Sequence, residues 1–514
     1  MDWIALTVFI FFFVLVTILG FVAARWRRGD LNLLDEWALA GRRFGTVVTW
    51  FLLGGDLYTA YTFIAVPAAL YSSGAAGFFA IPYGALAYPL VYLVMPKFWT
   101  VAKNRGYVTA ADFVRERFGS SLLSLAVTLT GILATMPYIA LQMFGIEVCI
   151  AQIGVPVEAA LIIAFVILAA YTYTSGLRAP AMIAFVKDFM ILLVVLVALV
   201  YIPSKLGGFD HIFAAVHQHA LQNPKTFHEL LAPAQYPAYI TLAFGSSMAV
   251  FLYPHSITGV LSSKNSNVIK RNAALLPIYS LMLGVLALLG YMAIAAHIEL
   301  PSAYKASGAV PALLSAIFPS WFAGFAFAAI GIGALVPAAV MSIAAANLFT
   351  RNIYREYFRP NCTAHEESTV AKLTSFVVKF GALVFILGLP TTNIINFQLL
   401  GGVWILQTLP AVFLGLYTSW FHRWALVAGW AGGMIAGTQM MVAQGFNSIF
   451  PLHFGKLSVS IYAGVAALLI NLGLVLLFTL ICRIVGLPLG KDSTSWAEYE
   501  ESVETPALLQ TVSE

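Results

Sequence analysis

Thirteen apolar stretches, each long enough to cross a lipid bilayer, restrict this chain more than any other feature of its sequence. A spanning helix needs about 20 mostly apolar residues, and inside a membrane only helices and closed barrels satisfy every backbone hydrogen bond. Charged residues make up 10% of the chain, against about 25% in soluble proteins. The sequence therefore predicts an all-α integral membrane protein with thirteen transmembrane helices, at residues 2–24, 44–71, 76–96, 121–150, 156–174, 180–202, 237–260, 273–297, 321–348, 371–390, 394–418, 423–443 and 458–482.

The distribution of positive charge predicts how these helices are oriented. With the N-terminus outside, most of the 27 lysines and arginines fall in cytoplasmic loops, as the positive-inside rule requires. We therefore expect a single N-out, C-in transmembrane domain over residues 1–490, in the inner (plasma) membrane of the cell. Residues 491–514, which contain five glutamates, are predicted to form a disordered acidic tail in the cytoplasm. The short outer segment 308–319 is predicted to lie on the membrane interface.

The second span carries an unusual set of residues near its middle. Gly54 and Gly55 weaken the helix, and Asp56 follows them directly. A lone charge at this depth costs about 2.5–3.5 kcal/mol on insertion scales. Secondary transporters build midplane ion and substrate sites from such broken helices. The pattern favours a transport site over a structural kink in which Asp56 bonds a neighbouring helix.

The ninth span, 321–348, offers a partner for this break. Its surface between Gly331 and Ala346 is mostly glycine and alanine, which lets another helix approach closely. Pro337 removes a backbone hydrogen bond, and Ser342 adds a hydroxyl. Carbonyl and hydroxyl oxygens of this kind suit a small cation, although helix packing alone explains the same composition equally well.

Several short motifs give the chain a recognisable pattern. They are EWALAGR at 36–42, Asp56 in the second span, Thr109 followed by DFVRERFG at 112–119, Asp188 in the sixth span, Pro-His at 254–255, and AAVMS at 338–342. In this order and at these helical positions the sequence resembles the sodium:solute symporter family over nearly its whole length. Within that family it is most similar to the monocarboxylate-permease branch, which takes up lactate, pyruvate and related short acids.

The resemblance implies an inverted five-plus-five repeat with discontinuous helices, repeat one over about 44–202 and repeat two over about 237–418. It also implies a sodium site made of carbonyls from Gly54, Leu57 and Ala339 and the hydroxyl of Ser342. The next residue, Ile343, departs from the family's serine or threonine and supplies no oxygen. Proton coupling through a buried carboxylate, Asp56 or Asp188, is therefore favoured over sodium coupling, and the resemblance makes Asp188 part of the ion exit path.

A short monocarboxylate needs hydrogen-bond donors around its carboxylate and an apolar wall for its carbon chain. Residues near the break and on other spans offer such groups, although packing explains each of them as well. The predicted substrate-binding residues are Tyr58, Thr59, Thr62, Tyr83, Gln142, Trp404 and Gln407. His255 is a further titratable candidate, and Lys379 is expected to extend along its helix to the inner surface.

These observations predict a secondary active symporter that imports a small organic anion with a coupling cation. The alternatives are a sodium-coupled symporter for another solute such as proline or pantothenate, and a transporter-like membrane sensor. The sequence contains no GxxxxGK[ST] phosphate loop and no HExxH metal motif, so neither ATP-driven transport nor an enzyme is indicated. Beyond the lipid bilayer, substrate and cation, no nucleic acid partner and no cofactor except a sodium ion, if one is bound, are expected.

Overall fold

A computed structural model of the protein describes residues 1–26, 29–56, 58–388, 394–455 and 457–500. The α-helices are α1 Trp3–Val22, α2 Leu34–Leu39, α3 Thr46–Gly55, α4 Val66–Ser73, α5 Ala80–Arg105, α6 Ala110–Phe118, α7 Ser121–Ile153, α8 Val157–Ser175, α9 Arg178–Lys205, α10 Phe209–Gln222, α11 Tyr236–Val250, α12 Pro254–Leu261, α13 Ser266–Leu275, α14 Pro277–Ala287, α15 Leu289–Ala295, α16 Ala309–Ile317, α17 Ser320–Phe349, α18 Ala364–Gly388, α19 Ile394–Leu406, α20 Leu409–Val412, α21 Arg423–Ala443 and α22 Ala463–Ile484. π-Helical turns cover Tyr61–Ala65 and Thr350–Phe358.

Within the described ranges, nine helices are long and apolar enough to cross a membrane, or eleven if each of two bent pairs is one span. Two of the thirteen predicted spans are not among these eleven. The second is broken into α3 and α4, so neither part has spanning length, and the tenth lies in α18, whose C-terminal end adjoins residues that the structure does not describe. The count of thirteen and the N-out, C-in orientation remain predictions.

Three of the predicted spans are interrupted. The second is broken after Gly55, as its paired glycines predict. The seventh bends by 49° between Pro233–Val250 and Pro254–Leu261, and the eleventh by 42° between Gln398–Leu406 and Leu409–Leu416. The second and seventh spans are those that the resemblance makes the first helix of each repeat. The repeat itself remains a prediction.

A two-stranded antiparallel hairpin is an exception to the all-α prediction. Strand β1, Ile449–Phe454, pairs with β2, Leu457–Tyr462, and Ile449 lies opposite Tyr462. Apolar and polar residues alternate in the second strand (LSVSIY), which is the period of a strand and not of a helix. The last span therefore begins at Ala463 and not at residue 458.

Helix α17 lies at the centre of the molecule, and almost all of its residues are buried. Helices α1, α7, α9 and α18 pack around it. At Gly324 an added Cβ would lie 2.3 Å from the carbonyl oxygen of Ala5 in α1. Small residues in α17 thus permit the close helix approach that the sequence predicts. The helix runs through Pro337 without ending there.

Two peripheral segments pack against the rest of the protein. In α16, Ala309 to Leu314 are buried, and its position at the membrane interface remains a prediction. The first part of the predicted disordered tail is also packed. Arg117 pairs with Asp492, Arg105 lies 2.8 Å from Glu498, and Tyr499 is buried. The expectation of disorder is therefore wrong for residues 491–500, because basic residues at the C-terminal ends of α5 and α6 bind them.

Candidate functional site

The break in the second span brings several candidate residues together, and some of them stabilise the break itself. The amide N–H of Ala60 donates to Gln142 Oε1 at 3.0 Å, and that of Tyr61 donates to Thr59 Oγ1 at 3.1 Å. The N–H of Thr59 donates to Thr62 Oγ1 at 3.4 Å. These side chains satisfy amide groups that a broken helix leaves without partners. Thr59, Thr62 and Gln142 thus hold the break, and none of them lines the cavity beside it.

A cavity next to the break is lined by Asp56 and a group of hydroxyl and aromatic residues. The polar members of its lining are Asp56, Tyr61, Tyr83, Tyr138, Tyr253, His255, Ser246, Ser256, Gln398 and Tyr462. Tyr83, predicted to contact substrate, is among them. Tyr58 instead lines a second, apolar cavity with Trp50 and Tyr279, on the side of Asp188.

Trp404 and Gln407, two further predicted substrate residues, do not line this cavity. Trp404 Nε1 donates to Thr438 Oγ1 at 2.9 Å, and Gln407 Oε1 accepts from Asn471 Nδ2 at 3.2 Å. These bonds join α19 to α21 and α22. The structure therefore gives both side chains a role in helix packing.

Asp56 is the distinctive residue of the cavity. It is 7% exposed, and neither carboxylate oxygen accepts a hydrogen bond from any described residue. Tyr253 and His255 also present unbonded polar atoms there. Their rings form a cluster with Tyr138, with centroids 5.3–5.6 Å apart. Unpartnered buried polar groups are costly, which makes this cavity the candidate site for a ligand or a proton.

The sequence analysis missed most of the aromatic lining. One signal was available: Tyr253-Pro254-His255 interrupts the seventh span as Gly54-Gly55-Asp56 interrupts the second. The tyrosines of α7 and of the π-helical turn, Tyr138 and Tyr61, gave no such signal. Only the packing of the broken segments against α5 and α7 brings them into one cavity.

A second cluster lies on the other side of the break. The ammonium group of Lys187 is 2.6 Å from the carbonyl oxygen of Gly55, 3.1 Å from that of Tyr58 and 3.2 Å from Asp188 Oδ1. The Tyr279 hydroxyl donates to Asp188 Oδ2 at 2.6 Å. Asp188 is therefore fixed by two partners, whereas Asp56 is free to meet a ligand.

The predicted sodium ligands are only partly within the described residues, because Leu57 lies outside them. The Gly54 carbonyl accepts from the N–H of Tyr58 at 3.2 Å. Ser342 Oγ donates to the Ala339 carbonyl at 2.8 Å and accepts from Ser375 Oγ at 3.3 Å. Lys379 Nζ donates to Ser375 Oγ at 2.7 Å and is buried, so the expectation that it reaches the inner surface is wrong.

Two of the sequence motifs lie away from the cavity and connect loops to neighbouring helices. Glu36 of the first motif pairs with the buried Arg178 at the start of α9. Thr109 and Asp112, of the motif at 109–119, form a capping box for α6, and Asp112 Oδ1 accepts from Asn352 Nδ2 at 2.7 Å. The first motif thus fastens its loop to α9, and the second fastens the start of α6 to the π-helical turn Thr350–Phe358.

Comparisons with known proteins agree with this architecture. A model of the sodium:solute symporter family matches residues 37–437. The monocarboxylate transport permease protein of Rhizobium johnstonii is 54% identical over 469 residues, which are 91% of this chain and 95% of that protein. The uncharacterized symporter YodF of Bacillus subtilis is 33% identical over 444 residues, 86% of this chain and 88% of that protein.

Solved structures give the same fold. A Na+-coupled sialic acid symporter in a substrate-bound, outward-open state matches with a TM-score of 0.71 at 16% identity, covering 93% of this chain and 98% of that one. Mhp1, a nucleobase-cation-symport-1 family transporter, matches with a TM-score of 0.53 at 13% identity, covering 91% and 98%. Both are LeuT-fold transporters. The chain is therefore a multi-pass membrane transporter and not an enzyme, and it belongs to the sodium:solute symporter family.

Proposed function

We propose that this protein is a secondary active symporter that imports short-chain monocarboxylates such as lactate and pyruvate across the plasma membrane. Import is coupled to a cation gradient, with the proton favoured over sodium. The observation that carries the proposal is the unpartnered carboxylate of Asp56 in a cavity lined by tyrosines and His255. The 54% identity to a monocarboxylate permease supports the substrate class.

The cavity has the chemistry that a small organic acid needs. Phenol hydroxyls of Tyr61, Tyr83, Tyr138 and Tyr253 are donors for a substrate carboxylate, and their rings form an apolar wall for a short carbon chain.

Asp56 links the substrate to the proton. Two carboxylates facing each other in a site of low dielectric repel strongly. If Asp56 carries a proton, it becomes a hydrogen-bond donor to the substrate carboxylate, and the repulsion disappears. Anion and proton therefore stabilise each other in the cavity, which is the thermodynamic requirement for symport.

Counterflow in proteoliposomes tests this function. Vesicles loaded with unlabelled lactate should take up labelled lactate from outside, and pyruvate should compete. In sodium-free vesicles an inward pH gradient should drive net accumulation, and a protonophore should abolish it. Competition by zwitterionic amino acids alone would refute the substrate class, and strict sodium dependence without any response to pH would refute the preferred ion.

A further inference from the structure

The described members of the predicted sodium site do not fit a sodium ion. A cation site must offer oxygens that replace water around the ion. Here the carbonyls of Gly54 and Ala339 and the hydroxyl of Ser342 each have a hydrogen-bond partner within the protein. Ile343 supplies no side-chain oxygen.

At the break, the protein supplies a cation of its own. An ammonium group has three hydrogen-bond donors, and Lys187 Nζ has three oxygens within 3.2 Å, from Gly55, Tyr58 and Asp188. Its side chain is completely buried. The Gly55 carbonyl ends α3 and the Tyr58 carbonyl lies within the break, so the ammonium group stabilises the interrupted backbone.

We propose that Lys187 is a tethered cation, whose ammonium group brings to the carbonyls of Gly55 and Tyr58 the positive charge that a dissolved sodium ion would otherwise supply at the break. Transport then requires no sodium at this position. The inference rests on the proposed symport function, and it adds the residue that makes sodium unnecessary. A second buried lysine is linked to one of the predicted sodium ligands. Lys379 donates to Ser375 Oγ, which in turn donates to the Ser342 hydroxyl.

The charges around Lys187 are consistent with a fixed ammonium group. Asp188 contacts it directly and Asp56 interacts with it electrostatically. Helices α1 and α17, which pack against α9, contain no ionisable side chain. Further ionisable residues on segments that contact α9 are Arg25, Glu36, Tyr58, Glu158, Tyr171, Tyr173 and Tyr279.

Ion-dependent stability of the purified, full-length protein tests the proposal without any substrate. Lys187→Ala removes the ammonium group and leaves Gly55 O, Tyr58 O and Asp188 around a space that a sodium ion can enter. The Tm of this variant should rise by about 2 °C or more in sodium chloride relative to choline chloride. The Tm of the wild type and of Lys205→Ala, an exposed lysine on the same helix, should not respond.

Transport gives the second measurement. In sodium-free proteoliposomes Lys187→Ala should exchange lactate at least about tenfold more slowly than the wild type, and sodium should restore exchange. Lys187→Gln is the alternative variant if Lys187→Ala does not fold. The proposal is overturned if the wild type itself is stabilised by sodium or strictly requires it, or if neither folded variant gains a sodium response. Absence of lactate counterflow in the wild type would refute the proposed function instead, since the stability measurement does not depend on substrate.

Discussion

At Asp56 the stability of the folded state and the proposed function conflict most directly. It is buried without a hydrogen-bond partner among the described residues, and an unpaired buried acid destabilises the folded state. Asp56→Asn keeps the shape but removes the group that exchanges a proton. We expect pH-driven lactate accumulation to fall by more than about tenfold while the Tm stays equal or rises.

Uptake and thermal unfolding of the same purified samples check this expectation. Glu158→Gln, which alters an exposed acid at the start of α8, is the control and should leave both quantities unchanged. Normal accumulation by well-inserted Asp56→Asn would reduce this carboxylate to a structural role.

Gly54 shows that the structure at the break depends on the close approach of the Tyr279 ring to the backbone of α3. An added Cβ would lie 2.1 Å from the ring of Tyr279, whose hydroxyl holds Asp188. Gly54→Ala should therefore displace Tyr279 and cost about 1–3 kcal/mol of unfolding free energy, with slower transport. Gly473→Ala is the matched control, because its Cβ meets no atom within 4 Å and alanine favours a helix. Equal stability of the two variants would contradict this account.

Among the elements, the segment 491–500 makes the clearest prediction about pH. The hydrogen bond from Arg105 lowers the pKa of Glu498 below its ordinary value of about 4.3. Because the pKa of Glu498 is lower in the folded state, its ionised carboxylate stabilises the docked segment at pH values above the ordinary pKa. That stabilisation is lost as the pH falls through the lowered pKa. The protection factors of the amides in 491–500, which correct for the slower intrinsic exchange of amides in acid, should therefore fall on acidification below about pH 4.

A variant separates this contact from general acid effects. Glu498→Gln should already exchange faster at pH 7, whereas Glu500→Gln, which alters an exposed neighbour, should behave as the wild type. Unchanged protection in Glu498→Gln at both pH values would mean that the aromatic contacts of Trp496 and Tyr499 with Lys97 and Arg117 suffice.

For the whole molecule, the charge distribution predicts an orientation that labelling can test. In a background with Cys362→Ser, Lys225→Cys should react with a membrane-impermeant maleimide added outside intact cells, and Lys264→Cys should react only after permeabilisation. Both lysines are exposed, so access depends on the side of the membrane. The reverse pattern would invert the predicted topology.

The sequence by itself determined the features that depend on the bilayer as solvent. Apolar length predicted the membrane helices, and Gly54-Gly55 predicted where one of them breaks, because a bilayer penalises polar backbone and charge at every such position independently of the rest of the chain. The short motifs and the membership of the family were readable for the same reason: they are local.

Only the tertiary structure decided which polar groups meet. Thr59 and Thr62, predicted as substrate ligands, bond the backbone of the break locally, whereas only the packing of α7 brings Gln142 to that backbone. Tyr138 and Tyr253, far apart in the chain, became neighbours in the cavity. In the sequence, Lys187 and Asp188 form an adjacent charge pair. Whether the ammonium group of Lys187 reaches the carbonyls of Gly55 and Tyr58 depends on how α9 packs against α3. Hydrogen-bond partners in a membrane protein are set by helix packing, and one-dimensional periodicity does not contain that information.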